Sequence, residues 1–409
     1  MHRLIAAIAA AIAATALLLP FAPGALAACV PRGTWAAPAA AGPRPLVGQD
    51  LIAHLARRDV VLLGESHEDA EHHRWQLQTI AALHGQRPDL VLGFEMFPRR
   101  VQPALDRWVA GELGEEAFLR AADWRRVWNT DPEAYLPLFH FARMNRVPMV
   151  ALNVDRDLVR MVREQGLDAL PVREREGVTR PAPASGAYVD FLLETYAGHE
   201  RGAAAPGGGA PSAAQRKAPS RDDPAFRRFV EAQLTWDRAM AQAIATARAR
   251  PSAPLVVGVI GSGHLIHRHG VPHQLADLGV TDVAVLLPWD GDADCERLTA
   301  GIADAVFGVA AAEQRAGQPR QRLGVWLEPG AGGVRIREVE KGSVAESAGV
   351  RAGDVVTDVA GVPARQPGDL TQAVRRHAPG TWLPLKVRRG SASLELVAKF
   401  PPAVPPQEQ

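Results

Sequence analysis

Two short segments of this sequence place an imidazole three residues after a glycine. They are Gly64-Glu65-Ser66-His67 and Gly261-Ser262-Gly263-His264, which lie far apart in the chain. Imidazole nitrogens ligate transition metals and haem iron, and an imidazole beside a carboxylate can transfer protons. The two segments therefore predict one polar site that suits either metal or haem ligation or acid–base chemistry.

Five short apolar segments are predicted as the strands that position these residues. Continuous apolar runs separated by helical patterns indicate an α/β fold, with a mainly parallel sheet and helices on both faces. The predicted strands are 59–64, 89–96, 148–153, 255–261 and 282–287. Glu65 and His67 follow the first strand. Glu95 and Asn153 close the second and third, and His264 follows the fourth. Because ligand sites of parallel sheets lie at the carboxyl ends of strands, we expect one shared cleft.

Further side chains near these segments are candidate ligands. The additional histidines are His72, His73, His267, His269 and His273. They are equally typical of a solvated surface, so the sequence assigns none of them. The chain has three tyrosines, Tyr135, Tyr188 and Tyr196. A tyrosine ligand therefore has few candidates.

The N-terminus predicts export. Residues 1–28 are typical of a signal peptide, because Arg3 precedes an apolar run that ends in prolines and small residues. Leu26-Ala27-Ala28-Cys29 resembles a bacterial lipobox, which makes Cys29 the candidate lipidation site. Ordinary cleavage after Ala27 is the alternative. Without acylation, a bridge between Cys29 and Cys295 stays open. The pattern predicts a cell-envelope protein, an outer-membrane lipoprotein with a lipid anchor that faces the periplasm.

Composition indicates the domain boundaries in the rest of the chain. Residues 29–47 are rich in Pro, Ala and Gly and predict a tether. A first domain is predicted over 48–310, with a disordered low-complexity insertion at 200–221. A linker at 311–321 leads to a second domain. The net charge of +1, with no basic run, argues against nucleic acid as a partner.

The C-terminal part, residues 322–401, resembles a bacterial PDZ domain. The segment Ala348-Gly349-Val350-Arg351-Ala352-Gly353-Asp354 carries the resemblance. It implies a small β-rich domain in which Leu323, Gly324 and Val325 form the carboxylate-binding loop. In that family the loop captures a peptide C-terminus, so the expected partner is an envelope protein or peptide. A PDZ fold that only braces the chain is the alternative.

The first domain resembles the ChaN-type haem-binding uptake lipoproteins. The segments that carry the resemblance are Gly64-Glu65-Ser66-His67, Gly93-Phe94-Glu95-Met96-Phe97, Trp124…Tyr135, Ala232-Gln233…Trp236-Asp237…Met240-Ala241 and Gly261-Ser262-Gly263-His264. These proteins belong to a group that includes Tiki proteins, TraB proteins and erythromycin esterases. The resemblance implies an α/β fold, a lipid anchor and haem binding linked to iron uptake. The PDZ-like domain and the insertion depart from the simplest family members.

Haem binding is the first functional hypothesis. A haem site needs an apolar slot, an axial ligand, and basic side chains for the propionates. The candidate haem- or metal-binding residues are His67, His264, Glu65, Glu95, Tyr188 and Tyr196. The sequence does not fix which of them ligates iron.

Two other functions remain open. Glu65 and Glu95, with His67 and His264, could act in a hydrolase or peptidase that uses a divalent metal such as Zn or Mn. Alternatively, the chain is a non-catalytic envelope adaptor that acts through its PDZ domain. The sequence does not fix the oligomeric state, and a homodimer is retained as an expectation.

Overall fold

The computed structural model describes residues 28–128, 130–202, 219–291, 293–310 and 321–402. The predicted signal peptide, apart from Ala28, lies outside these residues. Most of the predicted insertion and of the predicted linker does so too. The described chain forms two sheets, one in each predicted domain.

The first domain is built on an eight-stranded sheet. Its strands are β1 (Trp35–Ala37), β2 (Arg44–Leu46), β3 (Val60–Glu65), β4 (Leu90–Pro98), β5 (Met149–Asn153), β6 (Leu255–Gly261), β7 (Val283–Asp290) and β8 (Ala305–Val309). They lie in the order β2-β1-β8-β7-β3-β6-β4-β5, and β8 through β5 are parallel. The prediction of a mainly parallel sheet is confirmed.

Helices cover both faces of this sheet. They are α1 (Gly48–Leu55), α2 (Ala70–Gln86), α3 (Gln102–Val109), α4 (Glu115–Ala121), α5 (Trp124–Val127), α6 (Leu136–Asn145), α7 (Arg156–Gln165), α8 (Gly186–Gly202), α9 (Pro224–Arg248) and α10 (Val271–Asp277). Side chains of β3 alternate between the faces: Val61 and Leu63 pack in one apolar cluster, whereas Val60 and Leu62 pack in another. The helices on the two faces bury the sheet between them. Residues on both sides of each strand are therefore apolar, which explains the unbroken apolar runs in the sequence.

The long helix α9 positions part of the site, and its start is set locally. Pro224 occupies the first turn, where it lacks only an N–H that the helix would leave unpaired. The side chain of Asp223 accepts a hydrogen bond from the N–H of Ala225 and caps the helix. One face of the helix then packs on β5 and β6.

The predicted tether at 29–47 is wrong. β1 pairs antiparallel with β8, and β2 pairs with β1, so this segment extends the sheet. Val30 is fully buried. Strands of three residues that contain Pro and Ala give no alternating apolar pattern, so only their long-range partner reveals them.

A disulfide fixes the same segment. Cys29 is bonded to Cys295, with the two Cα atoms 5.5 Å apart. A disulfide and a lipid thioether use the same sulfur atom. The structure therefore corrects the prediction of lipidation at Cys29 and favours the Cys29–Cys295 bridge that the sequence left open. Among the described residues, none of the helices is long and apolar enough to cross a membrane.

The C-terminal domain is an antiparallel sheet with two helices. Its strands are β9 (Val325–Gly330), β10 (Gly333–Val339), β11 (Val355–Val359), β12 (Val362–Pro363), β13 (Trp382–Arg389) and β14 (Ala392–Lys399); its helices are α11 (Val344–Ser347) and α12 (Pro367–Arg376). The order is β14-β13-β11-β10-β9, with β12 beside β11. This domain has its own apolar core. One edge strand, β9, packs against α12.

Candidate functional site

His67 is held at the carboxyl end of β3 by the residue that closes that strand. Its Nδ1 donates to Oε1 of Glu65 across 2.8 Å. The same oxygen accepts the hydroxyl proton of Tyr135 at 2.6 Å. Within the described chain, Nε2 of His67 makes no hydrogen bond, and its side chain is 40% exposed. The arrangement fixes the tautomer of His67 and leaves Nε2 available to a ligand.

Glu65 is a buried carboxylate whose charge is matched by a second histidine. Oε2 accepts from Gln76 Nε2 at 3.1 Å and lies 3.3 Å from Nδ1 of His73. The other nitrogen of His73 donates to the carbonyl of His67 at 3.1 Å. Both ring nitrogens of His73 face acceptors, so this ring is an imidazolium.

Electrostatics support these charge states. Burial would raise the pKa of Glu65, but hydrogen bonds from His67 and His73 outweigh it and hold that pKa well below its usual range. Burial would lower the pKa of His73, and its contacts with Glu65 outweigh burial and raise it. The pKa of His67 is also raised, because Glu65 and Glu95 outweigh burial.

His264, after β6, is also anchored by a buried carboxylate, that of Asp237 on helix α9. Its Nδ1 donates to Oδ1 of Asp237 at 2.5 Å, and Oδ2 of Asp237 accepts the hydroxyl proton of Tyr188 at 2.7 Å. Burial lowers the pKa of His264, but the charges of Glu95 and Asp237 outweigh it and raise the pKa to about 9. His264 is therefore a buried imidazolium near neutral pH.

Glu95 lies between the two anchored histidines. Oε2 accepts from the backbone N–H of Gly261 at 2.6 Å, and Oε1 lies 3.6 Å from Nε2 of His264. The absence of a side chain at Gly261 makes room for His67. A methyl group there would lie 2.9 Å from Cε1 of His67 and 3.4 Å from Oε2 of Glu95.

The predicted convergence is thus present in the structure. It brings together the four strand-end residues Glu65, His67, Glu95 and His264. Asn153 lies next to them and donates to the carbonyl of Glu95 at 2.9 Å. These residues meet because they lie where the adjacent parallel strands β3, β6, β4 and β5 end.

A cavity of about 200 Å³ opens beside this group. Trp128 and Trp236 line it, and their rings lie 4.6 Å from His67 and 5.5 Å from His264. Three arginines also line it. Arg100 and Arg126 are paired with aspartates, whereas Arg156 lies over the Trp128 ring and has no carboxylate within 4 Å among the described residues.

Two tyrosines proposed as ligands do not reach the cavity. Tyr188 is fully buried with its hydroxyl on Asp237. Burial and that carboxylate raise its pKa well above the usual value, which disfavours a tyrosinate. Tyr196 packs against Phe226 and Phe229 in a separate cluster. Tyr188 positions Asp237 instead of ligating.

Asp69, His72 and Asp290 are close enough together to hold a metal ion. The hydrogen bonds argue against it. Nδ1 of His72 accepts the backbone N–H of Ser66 at 2.9 Å, so the ring proton lies on Nε2, which faces Asp290 at 3.3 Å. That proton occupies the position a metal would need, and His72 is a structural donor.

Sequence reasoning missed Asp237 as a site residue, and it considered Tyr135 only as a possible iron ligand and not as the partner of Glu65. Both lie outside the strand ends, on or beside helices α9 and α6. The signal was present, because Asp237 and Tyr135 stand within segments that carry the family resemblance.

The PDZ loop has the features that peptide capture needs. Gly324 has φ +77°, and within the described chain the N–H groups of Leu323 and Gly324 find no backbone acceptor. The carbonyls of both residues are held by Ala345 and Glu340. The loop leads directly into β9, whose outer edge is unpaired in the described sheet.

Comparisons with known proteins agree with the geometry. Residues 51–275 match the family described as haem-binding uptake, Tiki superfamily, ChaN. The chain belongs to the ChaN family. A solved structure described as cofacial heme binding to ChaN of Campylobacter jejuni is similar to this chain. It is 18% identical, covers 67% of this chain and 96% of its own, and has a TM-score of 0.50. This likeness supports the ChaN fold.

The second domain is a PDZ domain. Residues 321–399 match the PDZ family. The HtrA3 PDZ domain bound to a phage-derived ligand is 25% identical, over 19% of this chain and 83% of that one, with a TM-score of 0.18. The protease AlgW with a decapeptide is 22% identical, over 24% and 33% of the two chains, with a TM-score of 0.21. No curated protein sequence matches the chain.

Proposed function

We propose that this protein is an exported haem-binding protein of the cell envelope that handles haem for iron uptake. Its ChaN domain would hold haem through His67, and its PDZ domain would capture a peptide C-terminus. The observation that carries the haem proposal is the hydrogen bond from Nδ1 of His67 to buried Glu65, which leaves Nε2 without a hydrogen-bond partner in the described chain and the ring 4.6 Å from Trp128 of the cavity wall. A carboxylate-anchored imidazole of this kind is a strong metal ligand.

The charges around His67 also suit ligation. Iron binds the neutral imidazole, so its ligand must give up the proton on Nε2. The negative charge of Glu65 is already balanced by the His73 imidazolium, so His67 can be neutral without leaving a buried charge unpaired. Because the pKa of His67 is raised, haem affinity should increase with pH near neutrality.

The cavity sets the way in which haem can sit. Its volume of about 200 Å³ is smaller than the roughly 300–1,000 Å³ of sites that enclose small ligands. Haem would therefore lie across the mouth against Trp128, with its propionates near Arg156. One haem face would remain open. A second haem could stack on that face, and a second copy of the chain could bring it there as a homodimer; cofacial heme binding is described for the Campylobacter jejuni protein.

Hemin titration tests this proposal. The chain without residues 1–27 should give a saturable Soret band, and His67→Ala should abolish it. His140→Ala, on helix α6, is the matched control and should bind hemin normally. Arg156→Ala should weaken binding while leaving the Soret maximum unchanged, because it removes a propionate partner and no iron ligand. Unchanged binding by His67→Ala would refute His67 as the ligand.

Hydrolysis is the second candidate, and one observation favours it. Buried Glu95 lies 3.6 Å from the imidazolium His264, so a base and an acid stand side by side. A divalent metal such as Zn or Mn fits this set poorly, because His264 is protonated near neutral pH and offers no lone pair. Turnover of a hydrolase substrate that Glu95→Gln abolishes, with hemin binding intact, would establish this candidate.

The PDZ proposal rests on the N–H groups of Leu323 and Gly324, which have no backbone acceptor among the described residues, and on the edge of β9 that no described strand covers. A peptide with a free carboxylate would add to this edge as a strand beside α12. Gly324→Ala should abolish binding, since its methyl group would lie 2.3 Å from Cβ of Ser343. Gly368→Ala, which meets open space, is the control. A C-terminally amidated peptide should not bind.

The disulfide supports export, because disulfides persist in oxidising compartments such as the periplasm. Cell fractionation with a trypsin-accessibility assay tests this part of the proposal. Recovery of the chain in the cytoplasmic fraction with its N-terminal segment intact would contradict it.

A further inference from the structure

The edge strand β9 of the PDZ domain carries an exposed tryptophan. Trp326 is 44% exposed, and within the described chain its indole makes no aromatic, cation–π or hydrogen-bond contact. Trp382 on β13 is also exposed, but Nζ of Lys399 lies over its ring, 4.6 Å from the centre. The apolar surface of Trp326 is therefore available to a strand that pairs with β9, whereas that of Trp382 is already in contact with a side chain of its own sheet.

The position of the carboxylate-binding loop fixes the direction of a captured peptide. Leu323 and Gly324 precede β9, so a carboxylate held by their N–H groups lies at the beginning of that strand. The rest of the peptide then extends along β9 towards its end, which makes the two strands antiparallel. Because both strands advance by about 3.3–3.4 Å per residue, the last peptide residue lies beside Val325, the penultimate residue beside Trp326 and the residue before that beside Leu327.

Side chains of β9 alternate between the two faces of the sheet. Val325 and Leu327 pack against the apolar core of the domain, to which α12 also contributes. Trp326 lies on the other face, together with Glu328, whose carboxylate is 3.5 Å from the guanidinium of Arg335 on β10. The last peptide residue therefore points towards the core and α12, whereas the penultimate residue points to the face that carries the tryptophan.

We infer that Trp326 selects peptides with an aromatic side chain at the penultimate position. It can do so only if the PDZ domain captures a peptide C-terminus, as proposed above. Side chains directly opposite each other on neighbouring strands have Cβ atoms about 4.5–5.5 Å apart, so an aromatic ring there covers the exposed indole. The carboxylate of Glu338, the partner of Trp326 on β10, lies one strand further from the peptide. The penultimate side chain therefore meets the indole first, which favours a ring over a cation.

Two peptides that differ only at the penultimate position test this inference. Dye-labelled Gly-Gly-Gly-Val-Trp-Val and Gly-Gly-Gly-Val-Ala-Val, both with a free carboxylate, are titrated with the chain without residues 1–27 and followed by fluorescence polarisation. We expect the native chain to bind the Trp peptide about 3- to 10-fold more tightly than the Ala peptide. Trp326→Ala should make the two affinities equal, and Trp326→Phe should keep most of the difference. Trp382→Ala is the matched control and should leave the difference unchanged.

The possible failures are distinguishable. Equal binding of the two peptides by the native chain, or a preference that persists in Trp326→Ala, overturns the inference and leaves peptide capture intact. Tighter binding of Gly-Gly-Gly-Val-Arg-Val than of the Trp peptide overturns the aromatic class in favour of a cation. If none of the three peptides binds, peptide capture itself fails, and the selection by Trp326 fails with it.

A second measurement on the native sequence covers the case in which Trp326→Ala fails to fold. In protein with ¹⁵N-labelled tryptophan, the Trp peptide should shift the indole N–H signal of Trp326, which Trp326→Phe identifies by its loss. The signal of Trp382 should stay in place, and the Ala peptide should shift the Trp326 signal less. An unchanged Trp326 signal at saturating Trp peptide would show that the penultimate side chain does not contact this ring, and the inference would be wrong.

Discussion

The hydroxyl of Tyr188 donates to Oδ2 of Asp237 across 2.7 Å, and the other oxygen of that carboxylate holds Nδ1 of His264. Tyr135 likewise donates to Glu65, in this case to Oε1, the same oxygen that accepts from Nδ1 of His67. Each site histidine is therefore fixed by a buried carboxylate that is itself fixed by a tyrosine. The two histidines differ in the surroundings of Nε2. Nε2 of His264 faces Glu95, whereas Nε2 of His67 has no hydrogen-bond partner within the described chain.

Tyr188→Phe tests the role of Tyr188 as an anchor. Removing its hydroxyl leaves a buried carboxylate with one partner fewer, so we expect a loss of about 1.5–3 kcal/mol in the free energy of unfolding. Hemin binding should be retained, because His67 is held by a different carboxylate. Urea unfolding and hemin titration measure the two effects. Tyr135→Phe is the matched variant, and it should weaken hemin binding. If Tyr188→Phe shifts the Soret maximum, Tyr188 is a ligand.

Site residues at the ends of strands could be predicted from the sequence, whereas those on helices could not. Residues at strand ends could be predicted, because unbroken apolar runs mark buried parallel strands and their ends share one edge. Asp237 could not be placed in this way, since the face that α9 turns towards the sheet depends on how the helix packs. The N-terminal strands were missed for a similar reason, because β1 exists only through its pairing with β8.

The raised pKa of His264 predicts a pH dependence of stability. Its pKa is about 9 in the folded chain, against 6.5 for a free imidazole. The protonated form is therefore stabilised by folding. This contribution is fully present below pH 6.5 and is lost as the pH rises through about 9. Unfolding free energies across that window should fall with pH in the native chain and fall less in Asp237→Asn. A native profile that rises through this window would contradict the assignment.

Gly261→Ala tests whether the position of His67 matters for haem. The added methyl group would lie 2.9 Å from Cε1 and 3.3 Å from Nε2 of His67. The ring must move, and we expect hemin affinity to fall by about 10- to 100-fold. Gly263→Ala is the matched control in the same segment, because nothing lies within 4 Å of its methyl group. Equal hemin affinities for the two variants would show that His67 is not the ligand.

Cys295→Ser tests the disulfide and, with it, the state of Cys29. The bond joins the segment before β1 to the loop after β7 and closes most of the first domain into a loop. Losing it should lower the free energy of unfolding by about 2–5 kcal/mol. Mass spectrometry of the mature native chain should find a Cys29–Cys295 crosslinked peptide and no alkylation before reduction. A diacylglyceryl mass on Cys29, with Cys295 free to react, would restore the lipoprotein interpretation, because the same sulfur cannot serve both.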